Sequence, residues 1–115
     1  MAEFALAHVG VNAANAEEAR KGAELLQLMF GLPVKEGNSS VFAGTAVEFM
    51  KAPYKGTNGH IGLATPDVEA AKAELEAKGY TFDPDTAKYK PDGTLNAIYL
   101  TGEVGGFAIH LVKKS

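Results

Sequence analysis

The chain contains no cysteine, so neither a disulfide framework nor a thiolate metal site is available to it, and any metal must rest on His, Asp or Glu. It lacks an apolar run approaching the roughly 20 residues that span a bilayer. Its first residues also lack a basic stretch followed by a long apolar one, so a cytoplasmic, non-membrane protein is expected. It lacks a basic surplus too: the formal net charge is −3, and the 11 basic residues are scattered except for Lys113 and Lys114. Nucleic acid is therefore not an expected partner.

What remains is an ordinary globular composition, with 46% hydrophobic and 22% charged residues. At 115 residues the chain is long enough for one domain and one core, and too short for two independent domains.

An internal repeat organises that domain. His8-Val9-Gly10-Val11 returns 52 positions later as His60-Ile61-Gly62-Leu63, and Ala46-Val47-Glu48-Phe49-Met50-Lys51 returns as Ala108-Ile109-His110-Leu111-Val112-Lys113. The first half carries a helix signal: an N-cap at Asn15 with Glu18 three positions on, Ala19, Leu25, Leu26, Met29 and Phe30 at helical spacing, and a stop at Gly31 and Pro33. The second carries Thr65 as N-cap with Pro66 at the first helical position, then Val68, Ala71 and Leu75 on one face, ending at Gly79.

Residues 33–37, 39–43, 46–50, 81–82, 95–100 and 107–112 read as strands between turns containing glycine, among them Gly102, Gly105 and Gly106. Residues 83–94 read as a long polar loop. The expected fold class is α+β, with two βαβββ modules in one domain: about 1–53 and about 57–115.

Strand parity groups the candidate site. Side chains two apart share a face, which places His8 with Gly10 and Asn12, Glu48 with Met50, His60 with Gly62, and His110 with Ala108. The larger apolar residues face the other way, where a helix can cover them. If the modules are related by a pseudo-twofold, His8 comes next to Glu48 and His60 next to His110. All three histidines of the chain thus fall at equivalent or metal-competent positions. The implied cofactor is one divalent ion held by His8, Glu48, His60 and His110, with nitrogen and oxygen ligands suited to Zn, Ni, Co, Mn or Fe(II).

With these residues the chain resembles the vicinal oxygen chelate superfamily, which includes glyoxalase, bleomycin-resistance proteins, methylmalonyl-CoA epimerase and extradiol dioxygenases. His8, Glu48 and His60 match the glyoxalase ligand pattern, and His110 replaces its final glutamate. The segments Gly37-Asn38-Ser39-Ser40-Val41-Phe42, Asn58-Gly59-His60-Ile61, Thr86-Ala87-Lys88-Tyr89 and Gly105-Gly106-Phe107-Ala108-Ile109-His110 are similar to the glyoxalase-like domain appended to some bacterial 2-dehydro-3-deoxyphosphogluconate aldolases. The resemblance implies a homodimer in which paired chains complete each other's sites.

Three imidazoles and one carboxylate leave a divalent ion's shell at +1, so the expected partner is a small anionic metabolite. One expectation is an isomerase, epimerase or lyase acting on a small oxo-acid or sugar-acid through a chelated enolate, with Glu48 as base. The alternatives are a non-catalytic anion-binding or accessory module and, more distantly, an oxygenase. Lys88 and Tyr89, on the polar segment, are candidates for substrate contact.

Overall fold

The strand β1 (Ala5–Asn12) lies at the middle of the sheet, with a paired strand on each side. A computed structural model describes residues 2–114. After β1 come α1 (Ala16–Phe30), β2 (Val34–Glu36), β3 (Ser40–Ala43) and β4 (Val47–Met50). The second half repeats the series as β5 (Gly59–Thr65), α2 (Val68–Ala77), a 3₁₀ turn (Pro84–Thr86), β6 (Lys88–Tyr89), β7 (Leu95–Val104) and β8 (Phe107–Lys113).

All eight strands form one sheet in the order β2-β3-β4-β1-β5-β8-β7-β6. The order of the second half mirrors that of the first, as two copies of one βαβββ unit related by a pseudo-twofold require. Within each unit the first and last strands are parallel, β1 with β4 and β5 with β8, and the units join through antiparallel β1 and β5. This is the vicinal oxygen chelate fold, built here in a single chain.

Each unit has its own core beneath its helix. In the first, Ala19 and Ala23 of α1 are fully buried against Val41 and Ala43, with Phe49 and Leu26 packed around them. The approach is close because α1 presents Gly22 to the Phe49 ring, where a Cβ would stand 2.7 Å from a ring carbon. In the second, Val68 and Ala71 of α2 pack on Ile98, Leu111 and Phe82, with Leu63 and Leu75 beside them. Burying each of the larger aliphatic side chains contributes about 1.5–3 kcal/mol.

The helix ends follow local chemistry. Asn15 caps α1 by accepting from the Glu18 amide at 2.9 Å, and Gly31 ends it at φ 73°, a left-handed conformation that glycine adopts without strain. The cap of α2 is Asp67, not Thr65: Asp67 accepts from the Ala70 amide at 3.0 Å, while Thr65 remains in β5, paired with Lys113. Pro66 therefore precedes the helix, and α2 stops at Ala77 with Lys78 as its cap.

Two further expectations are corrected. Leu25, Met29 and Phe30 are 55–68% exposed, so the buried face of α1 is its small residues at 19, 22 and 23, with Leu26 packed beside them. Residues 81–82 form no strand beyond a single bridge between Phe82 and Leu100, because Asp83 starts the 3₁₀ turn by accepting from the Asp85 amide. The outer strand of the second unit is Lys88–Tyr89, within the segment expected to be loop. Gly105 and Gly106 do form the β7–β8 turn, whereas Gly102 sits inside β7 where its register with β8 shifts.

Candidate metal centre

Lateral register turns the parity pattern into a site. Gly10 of β1 lies between Glu48 of β4 and His60 of β5, while Gly62 of β5 lies between His8 of β1 and His110 of β8. Each glycine gives the flanking side chains room to lean inward. A Cβ at Gly10 would fall on the His60 ring, and one at Gly62 would stand 2.7 Å from His8 Cε1 and 2.8 Å from His110 Nε2. The motif His-apolar-Gly thus supplies a metal-competent residue and, two positions on, the gap that its neighbours occupy.

The four side chains meet within this one chain. One ring nitrogen from each of His8, His60 and His110 lies within 4.8 Å of the others. His110 Nε2 is 3.3 Å from His8 Nε2, and Glu48 Oε1 is 3.2 Å from His60 Nε2 and 3.8 Å from His8 Nε2. His60 and His110 are buried, at 3% and 7% exposure, so neither ring can relax into solvent.

Protonation states suit a cation. Burial depresses His8 despite the opposing pull of Glu48, and His60 depresses it further. His110 is lowered to about 4, first by burial and then by the two neighbouring imidazoles. Burial alone would raise Glu48, but hydrogen bonds from His60 and from Ser40 Oγ, the latter 2.7 Å from Oε2, outweigh it and hold the carboxyl below its ordinary range. Near neutral pH the cluster therefore offers His8 and His110 as neutral imidazoles beside an ionised carboxylate.

The buried Nδ1 atoms of His60 and His110 have no hydrogen-bond partner among the described residues. Each is a buried ring nitrogen whose hydrogen-bonding capacity goes unused, at a cost of about 1–3 kcal/mol. The donor set fits a borderline divalent ion such as Zn, Ni, Co, Mn or Fe(II) better than Ca or Mg, which prefer all-oxygen shells.

A pH dependence follows for the metal-free protein. Below the ordinary histidine value of 6.5 the unfolded chain binds protons that folded His110 refuses until about pH 4. Stability should therefore fall as pH drops through that window. Thermal unfolding at several pH values checks this, and His110→Gln should flatten the slope.

Sequence reading missed three contributors. Ser40 orients Glu48, and its role depends on β3 lying beside β4, which sequence does not state. Tyr99, opposite His110 in register, stacks on that ring at 4.6 Å and is 8% exposed. Tyr54, from the segment between the units, stands edge-on to His60 at 6.1 Å. A tyrosine in the mainly apolar run 95–100 was the one available signal. Lys88 and Tyr89 lie exposed on the edge strand β6, separated from the strand of His110 by β7.

No known protein-family pattern and no curated protein matches the sequence. Solved structures do match the fold. Methylmalonyl-CoA epimerase from Streptomyces coelicolor, in complex with 2-nitronate-propionyl-CoA, aligns over 96% of this chain and 94% of its own, with a TM-score of 0.66 and 18% identity. The epimerase from Mycobacterium tuberculosis aligns over 96% and 87%, with a TM-score of 0.63 and 18% identity. A hypothetical protein from Bacillus halodurans aligns over 98% and 96%, with a TM-score of 0.60 and 14% identity.

Proposed function

We propose that the chain is a divalent-metal-dependent isomerase of the epimerase kind, acting on a small acid that bears a carbonyl next to the carbon whose proton is moved. The observation that carries this reading is the convergence of His8, His60, His110 and Glu48 on one point of the sheet. Likeness of fold to methylmalonyl-CoA epimerases supports it.

A divalent ion held by these residues would supply Lewis-acid polarisation of the substrate's oxygens. The chain's own part is proton movement. Glu48 is ionised, and Ser40 pins its Oε2 at 2.7 Å, which leaves Oε1 on the histidine side. That carboxylate takes the proton from the carbon beside the carbonyl, the electron pair passes to the carbonyl oxygen, and return of the proton to the opposite face completes the isomerisation, whereas return to the original face regenerates the substrate.

The Zn- or Mn-loaded protein should exchange the α-proton of at least one acid in a panel of small 2-oxo acids with solvent deuterium, as read by NMR. Absence of exchange across the panel sinks the catalytic reading. Ligand-dependent thermal stabilisation without exchange would instead identify a binding module, including one serving an aldolase.

The metal assignment has its own test. His110→Ala should lower metal content measured by elemental analysis after dialysis, because one of the four donors is removed. Full retention would take His110 out of the ligand set.

A further inference from the structure

On the sheet face that carries the histidines lies a cavity of about 320 Å³ whose walls include Lys55, Gly56, Asp83, Tyr99, Glu103 and Ala108. Ala108 pairs in register with His60, and Tyr99 with His110, so the cavity's floor adjoins the candidate metal centre. The Tyr99 ring is the shared wall, stacked on His110 and 5.7 Å from the Lys55 ammonium.

Lys55 is held in place by its backbone. Asn12 accepts from the Tyr54 amide at 3.0 Å and donates to the Gly56 carbonyl at 3.0 Å, gripping the segment on both sides of Lys55. Gly56 has φ 82°, and a Cβ there would collide with the Gly59 carbonyl, so the turn admits little else. Lys55 is partly buried, and its ammonium forms no ion pair among the described residues. Asp83 and Glu103 each use one carboxylate oxygen locally, toward the Asp85 amide and the Thr57 hydroxyl, which leaves each a second oxygen.

One ammonium donor, two carboxylate acceptors and an aromatic wall form an unusual lining for an aliphatic or anionic tail. An alkyl chain would pack on Tyr99, Leu100 and Ala108 but would crowd three charged groups without satisfying any of them. A second carboxylate on the ligand would face two of like sign. Hydroxyl groups satisfy both kinds of wall, accepting from Lys55 and donating to Asp83 and Glu103.

We propose that this cavity binds the non-reacting tail of the substrate and that the tail is a short polyhydroxylated chain, making the substrate a polyhydroxy acid. The proposal rests on the metal-centre reading only for the placement of the acid head. Binding is measured by calorimetry on the full, metal-loaded chain, with D-gluconate as probe and hexanoate as the control of equal length without hydroxyls. Metal content is determined before and after each titration.

Gluconate should bind at least about 10-fold more tightly than hexanoate. Lys55→Met and Glu103→Ala should each weaken gluconate by about 10-fold, the loss expected for one hydrogen bond, and leave hexanoate and metal content unchanged. Equal affinities, no measurable gluconate binding, or indifference of gluconate to Lys55→Met would overturn the assignment. If the preference and the Lys55→Met effect persist in protein that holds no metal, the cavity assignment stands and the metal reading fails. If metal binds and oxo-acids exchange but gluconate shows no preference, this inference alone fails.

Discussion

Gly10→Ala should strip the centre of its metal while leaving the fold in place. Gly10 is not at positive φ, so alanine suits its backbone and the effect is steric. The added Cβ falls on the His60 ring, which is 3% exposed and has nowhere to swing. Overpacking of this kind costs about 1–3 kcal/mol, a loss of several degrees in melting temperature for a domain of this size. The larger effect is on binding. Substitutions that only disturb the support of a ligand typically lower metal affinity by about 10–100-fold, and displacing His60 itself should exceed that.

Gly62→Ala offers an independent check, since its Cβ would press on His8 and His110 together. Metal titration and thermal unfolding of both variants are the measurements. A Gly10→Ala protein that binds metal like the parent and melts at the same temperature would show that His60 does not occupy the space above Gly10.

These glycines mark the limit of what could be read from sequence. Their parity with the histidines was legible, because side chains alternate along any strand and the repeat aligned two such strands. Their function was not, because it depends on which residue of the neighbouring strand lies opposite. That register is set by the β1–β5 junction at the pseudo-twofold, a contact between residues about 50 positions apart. The pairing of His8 with Glu48 and of His60 with His110 on adjacent strands was foreseen. The lateral closeness of His60 to Glu48 across Gly10, and of His8 to His110 across Gly62, was left to sheet curvature.

The helices misled in a different way. Helical spacing of Leu25, Met29 and Phe30 is genuine, yet α1 sits so close to the sheet that alanine and glycine fill its closest approach, Leu26 packs at the margin, and these three turn outward. Hydrophobicity was read as burial where size decided. In residues 81–94 the opposite occurred. Phe82 anchors the core from a bend rather than from a strand, and the polar Lys88–Tyr89 pair supplies the edge, where charge and a single paired side are tolerated.

Glu48→Gln should have the greatest effect on turnover and should separate the two roles open to this residue. Glutamine keeps the shape and retains one oxygen able to face a cation, with its amide NH2 turned to donate to Ser40 Oγ, but it cannot take a proton. If Glu48 is the base, proton exchange on a responsive substrate should fall by about 10²–10⁴-fold, with most of the metal retained. If it serves only as a ligand, metal affinity should drop, and exchange should recover when metal is raised to saturation.

The parent protein's pH profile provides a second discriminator. Hydrogen bonds from His60 and Ser40 hold the carboxyl below its ordinary range, so it stays ionised throughout neutral pH. Base-dependent exchange should then be flat with rising pH and decline only in acid. Ser40→Ala removes the bond to Oε2, which for a charged acceptor is worth about 1.5–3 kcal/mol, and should move that acid limb to higher pH. An acid limb unmoved by Ser40→Ala, together with full exchange by Glu48→Gln, would assign the proton transfer to another group.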